Sequence, residues 1–276
     1  MVDYHIHSTF SCDSRLKPEF VCQQAIKQGF NEIAFTEHLD LEPGDEGYGL
    51  YDYEAISKRI LELKNLYNGK LEIKKGLEVT YQKKREYEIK EFLKDKDFDF
   101  VIGSVHLIGD FDISQEEGTK EYFNQFDREE AFLSYFDVTY DLVNSGIFDV
   151  LGHFEMVRRY GLKYVADYRY EEFKEIIDRI LNRIVVKQMA LEVNTSGVRH
   201  LPAEIYPQME ILRRYLDIGG RYFTIGSDAH LPEHIGYRIP ETMKQLQGIG
   251  IEEITLFSNR EKRFYKMEQV SNINTK

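Results

Sequence analysis

Short apolar runs alternate with longer amphipathic segments along almost the whole chain of 276 residues. Several runs are rich in Ile, Val and Phe, which is typical of parallel strands that are buried on both faces. The runs that we predict as strands are residues 2–7, 32–36, 71–79, 98–105, 148–153, 190–194 and 222–227. An eighth run, EITLFS at 253–258, is a further candidate strand.

The segments between these runs carry helical periodicity. Residues 52–67 place Ile56, Ile60, Leu63 and Tyr67 at a 3.6-residue spacing, and residues 170–185 do so with Phe173, Ile176, Ile177, Ile180 and Ile184. Two more helices are predicted at about 18–28 and 207–217. Pro18 and Pro207 suit the first turns of these two helices, and Gly29 suits the end of the first.

Strand-then-helix units in series predict a parallel sheet with right-handed crossovers, and seven such units favour a closed α/β barrel of the TIM type. No Pro-, Gly- or Ser-rich linker interrupts the chain, so we predict one domain over residues 1–276, with about six frayed residues at its end. Two irregular segments, 39–49 and 108–120, follow strands, where the active-site loops of such barrels lie.

Histidines cluster at the predicted strand ends. The chain has eight histidines, and six of them fall at the carboxyl ends of strands. These six are His5, His7, His38, His106, His153 and His230, and the same strand ends carry Glu78 and Asp228. One such histidine alone could be a structural residue bonded to a carbonyl group. Six of them at one mouth require coordination or neutralisation, because unpaired buried charge is costly.

The first strand shows the pattern most clearly, in DYHIHSTFSCD. Residues i and i+2 of a strand share a face, so His5 and His7 would lie about 6–7 Å apart and could share one metal ion. With Asp13, the mouth has nine candidate ligands, which divide into three sites of about three protein ligands each. Such sites keep positions open for water and are catalytic in type. Imidazole and carboxylate ligands suit Zn, Mn or Fe, and the sequence does not choose among them.

The strand ends carry a set of short motifs: HIH at 5–7, TEH at 36–38, Glu78, SVH at 104–106, GH at 152–153 and SDAH at 227–230. Together they closely resemble the motifs of the PHP (polymerase and histidinol phosphatase) family. The chain length, the long segment before GH and the later EVNTSGVR resemble the histidinol-phosphate phosphatase branch. The resemblance implies a distorted (β/α)7 barrel with a trinuclear metal centre at the carboxyl ends of its strands.

The resemblance also implies how the ligands are shared. One ion would bind His5, His7, Glu78 and Asp228, a second Glu78, His106 and His153, and the third Asp13, His38 and His230. Glu78 would then bridge two ions. The chain departs from the branch at Asp13, where some relatives carry histidine, and at Glu155, where an aspartate is usual.

The implied activity is that of a metal-dependent phosphomonoesterase. It would hydrolyse L-histidinol phosphate to L-histidinol and phosphate, a step of histidine biosynthesis, by attack of a metal-bridging hydroxide on phosphorus. Arg158 and Arg159 follow His153, and Arg199 follows the sixth strand. Arginine suits phosphate because its planar fork binds two oxygens. We prefer Arg159 over Arg158, which we expect in a surface ion pair.

The remaining polar residues receive weaker roles. Asp228 and His230 are the nearest candidates for handling the leaving-group proton, although both are also proposed ligands. His200 could be a substrate contact or a solvent-exposed loop histidine, and His234 is expected to be structural or at the surface. The acidic loop after His38 could bind the substrate's ammonium group through Asp40, Glu42, Asp45 or Glu46, although each of these acids alone could simply be solvated.

The net charge of −12 disfavours duplex DNA and anionic membranes as partners, so we expect a small phosphorylated substrate. Cys12 and Cys22 have no metal-site spacing, and no apolar leader or run of about 20 apolar residues is present, which favours a cytoplasmic protein with reduced thiols. The alternatives left open are a nucleotide or oligonucleotide phosphoesterase, a non-catalytic metal or phospho-ligand binding module, and an amidohydrolase or peptidase. The sequence does not indicate the oligomeric state.

Overall fold

The computed structural model describes residues 1–267, and its centre is a ring of seven parallel strands in the order β1-β2-β4-β5-β8-β9-β10. The strands in chain order are β1 (Val2–Ile6), β2 (Glu32–Phe35), β3 (His38–Leu39), β4 (Glu72–Thr80), β5 (Phe100–Ser104), β6 (Leu107–Ile108), β7 (Phe111–Asp112), β8 (Val150–Leu151), β9 (Ala190–Asn194), β10 (Phe223–Gly226), β11 (Glu253–Ser258) and β12 (Glu261–Lys266).

The ring is nearly closed, because the segment after β10 returns to β1. The amide of His7 donates to the carbonyl of Ala229 at 3.0 Å, and the amide of Ala229 donates to the carbonyl of His5 at 3.3 Å. Each of the seven predicted runs contains one strand of the ring. The predicted distorted (β/α)7 barrel is therefore confirmed.

Helices surround the ring. They are α1 (Pro18–Lys27), α2 (Tyr53–Leu66), α3 (Glu86–Leu93), α4 (Glu116–Gln125), α5 (Arg128–Ser145), α6 (Arg158–Gly161), α7 (Lys174–Lys187), α8 (Met209–Asp217) and α9 (Ile239–Gly248). Within residues 1–267, none of them combines the length and apolar character that crossing a membrane requires.

Local sequence signals explain several helix boundaries. Pro18 is the first residue of α1, and Asp52 caps α2 by accepting a hydrogen bond from the amide of Ala55 at 3.0 Å. The predicted stripe of α2 is confirmed, since Ile56 and Ile60 are buried against the barrel. The helix predicted from residue 170 begins at 174, because residues 170–172 form a 3-10 turn.

Two expectations about secondary structure were wrong. Pro207 lies before α8 and not in its first turn, since this helix begins at Met209. The segment 108–120 is not irregular, because it contains part of the β6–β7 hairpin and the start of α4. The candidate strand at 253–258 is confirmed, and it pairs antiparallel with β12 outside the ring. The expectation that residues 271–276 are frayed falls outside the described residues.

The β11–β12 hairpin covers the amino-terminal end of the barrel. Phe257 stacks on Phe100 of β5 with ring centroids 5.5 Å apart. Arg260, in the hairpin turn, donates to Asp149 just before β8 at 2.8 Å. At the start of β2, Glu32 accepts from the hydroxyl of Tyr4 and pairs with Arg263 of β12. This packing leaves the carboxyl ends of the strands as the open end of the barrel.

Asp3 fastens the closing segment to β1. Its buried carboxylate accepts hydrogen bonds from the amide and hydroxyl of Ser227, at 2.9 and 2.5 Å, and from the amide of Gly236 at 3.0 Å. These bonds hold the residues after β10 beside the first strand.

Replacing Asp3 by alanine should lower the free energy of unfolding by about 2–4 kcal/mol, because it leaves several buried donors without an acceptor. Urea denaturation in the presence of a chelator measures this change without a contribution from metal binding. Asp95→Ala is the control, since Asp95 is exposed and its loss should change the free energy by less than about 0.5 kcal/mol. Equal stability of the two variants would contradict the role given to Asp3.

Candidate metal centre and substrate pocket

The carboxylate of Glu78, on β4, lies at the centre of the open end and is 1% exposed. Its Oε2 atom is 3.2 Å from Nε2 of His5, 3.4 Å from Nε2 of His7 and 3.2 Å from Nδ1 of His38. The register of the sheet explains the last contact, because β3 pairs with β4 so that His38 lies directly opposite Glu78.

The other oxygen of Glu78 faces a different pair of imidazoles. Oε1 is 2.8 Å from Nε2 of His153 and 3.5 Å from Nε2 of His106, and it accepts a hydrogen bond from Ser104 at 2.6 Å. The two imidazole nitrogens are 3.2 Å apart. One carboxylate thus joins two groups of histidines, which is the geometry that a bridging ligand needs.

Asp13, Asp228 and His230 form the outer part of the cluster. Nε2 of His230 is 3.0 Å from the carboxylate of Asp13, and its Nδ1 is 3.5 Å from that of Asp228. The carboxylate of Asp228 in turn lies 3.6 Å from His7 and 3.8 Å from His5. The structure therefore brings all nine residues that the sequence predicted as ligands into one cluster.

The cluster fits divalent metal ions. Among the buried nitrogens that have no hydrogen-bond partner within residues 1–267 are Nε2 of His5, His7 and His230 and Nδ1 of His38. Four overlapping groups have ligand atoms within 4.8 Å of one another: His7, His38 and His230; His5, His7 and Asp228; His5, Glu78 and His153; and His38, Asp40 and His106. Because the groups overlap, the geometry permits more than one division of the ligands among ions.

Electrostatics supports the same interpretation. Burial opposes the charge of Glu78, yet the neighbouring imidazoles, His5 foremost, hold its pKa well below the usual range. Burial also opposes protonation of His38, but Glu78 raises its pKa to about 10. His7 stays neutral, because burial and then His230 keep its pKa well below the usual value. Without metal, protons on some imidazoles balance the carboxylates, and divalent cations would replace those protons.

Glu192, on β9, contacts the cluster and was missed by the sequence analysis. Its Oε1 is 2.6 Å from Nδ1 of His5, and its Oε2 accepts from the amide of His153 at 2.6 Å. Gly226 makes room for this contact, since a Cβ there would lie 2.4 Å from Cβ of His5. A carboxylate behind a ligating imidazole fixes the direction of its other nitrogen. An acid within the buried strand ALEVN was the available signal.

A hydroxyl and a carboxylate orient His106 in the same way. Thr80 Oγ1 lies 2.8 Å from Nδ1 of His106 and donates to Asp40 at 2.5 Å. His7 is held by a similar pair of contacts. Its Nδ1 is 3.2 Å from Oγ of Ser11, and the hydroxyl of Ser11 donates to Oε2 of Glu37 at 2.6 Å. Asp40, a candidate partner for the substrate's ammonium group with the other acids of its loop, is buried.

A cavity of about 840 Å³ opens over the cluster, and Arg159 and Arg199 both line it. Arg199 is fixed by donating to the carbonyls of Ser227 at 2.7 Å and Asp228 at 2.9 Å. The guanidinium of Arg159 lies 5.3 Å from the ring centroid of Tyr160, and its Nε has no hydrogen-bond partner in the described part of the chain. Both predicted phosphate-binding segments therefore reach the cavity.

Arg158 does not join them, which corrects its prediction as a substrate-binding residue. Its side chain is 1% exposed and lies outside the cavity lining. It donates to Asp167 at 2.9 and 2.5 Å and to Glu204 at 2.5 Å, so it forms an ion pair as expected, although the guanidinium itself is buried and only the carboxylates reach the surface. Two carboxylates hold this guanidinium away from the cavity.

Three further predicted residues line the cavity. Glu42 does so, but its carboxylate is 2.7 Å from Nζ of Lys84 and therefore has a partner within the protein. His200 also lines it, and burial followed by the charge of Arg159 lowers its pKa to about 3, so that it is neutral. His234, expected to be structural or at the surface, is a lining residue as well.

Known proteins share this fold. A histidinol-phosphatase of Lactococcus lactis is 34% identical over 93% of this chain and 94% of its own. A probable histidinol-phosphatase of Clostridium acetobutylicum is 29% identical over 91% of this chain and 95% of its own. The crystal structure of histidinol phosphate phosphatase from L. lactis, in complex with zinc, L-histidinol and phosphate, matches with a TM-score of 0.81 at 30% identity and covers 95% of this chain and 98% of the other.

The family assignment follows from a separate comparison. The sequence model of the PHP domain matches residues 3–196, a range that holds seven of the nine clustered residues: His5, His7, Asp13, His38, Glu78, His106 and His153. The match covers more than half of the chain and begins within the strand that carries the first two histidines. The chain belongs to the PHP domain family.

Proposed function

We propose that this protein is a metal-dependent phosphomonoesterase that hydrolyses L-histidinol phosphate to L-histidinol and phosphate. The observation that carries the proposal is one cavity that joins a carboxylate–imidazole cluster to two arginines, Arg159 and Arg199. Its relatives support the substrate, since curated proteins of similar length are named histidinol-phosphatases and one was crystallised with L-histidinol and phosphate.

The nine clustered residues are proposed to hold three divalent ions, divided as the family resemblance implies and with Glu78 as the bridge. Zinc is the ion in the L. lactis structure, and manganese and iron also suit imidazole and carboxylate ligands. When bound, such ions lower the pKa of coordinated water and neutralise phosphate oxygens. The contribution of the chain is to place nitrogen and oxygen ligands around a buried carboxylate that already holds its charge.

Arg159 and Arg199 are proposed to bind the equatorial oxygens of the phosphate. A guanidinium binds two oxygens at once and stabilises charge that develops in the transition state. The two carbonyl bonds of Arg199 fix its orientation before substrate arrives, which reduces the entropy lost on binding. Of the two residues considered for proton transfer, Asp228 is the poorer donor: burial opposes its charge, but His5 and His230 hold its pKa well below the usual range, so it is ionised.

The acidic side of the cavity is proposed to receive the cationic end of the substrate. Asp45 lines it, and burial and the charge of Asp40 raise its pKa, so a cation placed there would be stabilised. Glu42 contributes less, because Lys84 already pairs with it. The same acids, with the net charge of −12, would repel an oligonucleotide and so disfavour the alternative nucleic-acid substrate.

A substrate panel tests the proposal. With Zn, Mn or Fe supplied, the purified protein should release phosphate from L-histidinol phosphate at least about a hundredfold faster, in kcat/KM, than from AMP or a short oligonucleotide. Comparable values for the three would contradict the specific substrate and leave a general phosphoesterase. No phosphate release from any of them would favour a binding module.

Glu192→Gln should weaken metal binding by about 10–100-fold, because the amide cannot hold the imidazole of His5 as the carboxylate does. Titration with a competing chelator and elemental analysis measure the loss against the wild type, for which we expect about three ions per chain. Glu172→Gln is the matched control on an exposed acid of the same chain. One ion or none in the metal-replete wild type would contradict the trinuclear centre.

Arg159→Ala should raise KM for L-histidinol phosphate by about 10–100-fold, the loss expected for a charged hydrogen bond to phosphate. Its metal content should stay at the wild-type value, because the side chain contacts none of the proposed ligands. Arg169→Ala is the control, since that arginine is 86% exposed. Loss of metal in the Arg159 variant would show that the residue supports the metal centre instead.

A further inference from the structure

Arg158 lies between the two segments that supply the arginines of the cavity. It precedes Arg159 on the short helix α6, and its guanidinium reaches Glu204, five residues after Arg199. It is among the largest side chains that the protein buries completely. A fully buried arginine that spans both segments needs an explanation, because burying this charge is costly unless carboxylates compensate for it.

The segment that carries Arg199 is a closed loop. Asn194 and Tyr206 exchange backbone hydrogen bonds of 2.7 and 2.9 Å, which join the start and the end of the loop. Inside it, the returning chain passes close to the outgoing one, since a Cβ on Gly197 would lie 2.2 Å from the carbonyl oxygen of Glu204. A displacement of Glu204 is therefore passed on to the turn that ends at Arg199.

The other carboxylate that binds Arg158 is that of Asp167, which lies on the same stretch of chain as Arg159. Asp167 accepts two bonds from the guanidinium and lies in the segment that follows α6. The backbone carbonyl of Asp167 also accepts from Arg128 at 2.8 Å, which ties this segment to α5. The two carboxylates thus anchor one guanidinium to two different parts of the fold.

We propose that Arg158 is a positioning residue for phosphate binding, which holds the loop of Arg199 at a fixed distance from Arg159 through its ion pair with Glu204. The inference rests on the proposed function, because it takes the two cavity arginines as the phosphate ligands. Two guanidinium groups bind one phosphate together only when their separation matches it, and small misplacements of such groups weaken binding strongly.

Two variants separate positioning from simple stabilisation. Glu204→Gln removes the charge from the link to the loop of Arg199 and keeps the ion pair with Asp167, whereas Asp167→Asn does the reverse. The comparison is well matched, since each of these carboxylates is 40% exposed. The probe is inorganic phosphate, bound directly in calorimetry and as an inhibitor of the metal-loaded enzyme, together with metal content and thermal unfolding.

We expect Glu204→Gln to weaken phosphate binding and raise KM about tenfold, with kcat within about threefold and metal content unchanged. Asp167→Asn should change phosphate binding less than about twofold at a similar loss of thermal stability. Glu204→Asp, which keeps the charge, should restore part of the affinity.

Two results would overturn the positioning role: unchanged phosphate affinity in Glu204→Gln, or equal losses in both variants that follow thermal stability. Failure of the proposed function looks different. In that case the wild type itself would not hydrolyse L-histidinol phosphate, while calorimetry would still report whether Glu204→Gln alters phosphate binding. A wild type that does not bind phosphate at all would contradict both.

Discussion

The buried carboxylate of Glu78 is the interaction on which the rest of the open end depends. An ionised group at this depth costs several kcal/mol unless its surroundings compensate for it. The surroundings are five imidazoles from four strand ends, since His5 and His7 both come from β1, so the barrel must deliver each of those strand ends to one point. Even β3, only two residues long, places His38 directly opposite Glu78 by its register with β4.

The sequence was sufficient to predict this cluster, because carboxyl ends of parallel strands converge and a strand's carboxyl end is visible in its apolar pattern. The residues behind the cluster were harder to find. Thr80 and Asp40 meet because the register of β3 with β4 pairs Leu39 with Val79 and so brings the next residue of each segment together. The two-residue strand β3 was not predicted from the sequence, so this contact was not predicted either. Glu192 was accessible in principle, since a buried strand rarely carries an acid without a partner.

The adjacent residues Arg158 and Arg159 show what the sequence pattern alone does not predict, namely which of two neighbouring side chains lines the cavity. Successive residues of a helix point about 100° apart, so Arg158 and Arg159 face different surroundings although they look equivalent in the sequence. Which of them reaches the cavity depends on Asp167 and Glu204, carboxylates that lie 9 and 46 residues from Arg158.

The β11–β12 turn was not predicted, because its sequence carries no turn signal. Its two central residues, Asn259 and Arg260, both adopt positive φ values, and this pair lacks the glycine that usually signals such a turn.

The hairpin at the amino-terminal end of the barrel also bears on how molecules travel. With β11 and β12 packed beneath the strands, the cavity over the histidine and carboxylate cluster meets solvent on the opposite side. If the protein acts as proposed, the phosphate ester enters and both products leave through this one opening. The arginines that bind the ester would then also bind the phosphate product, so phosphate would have to dissociate before the next substrate molecule could bind.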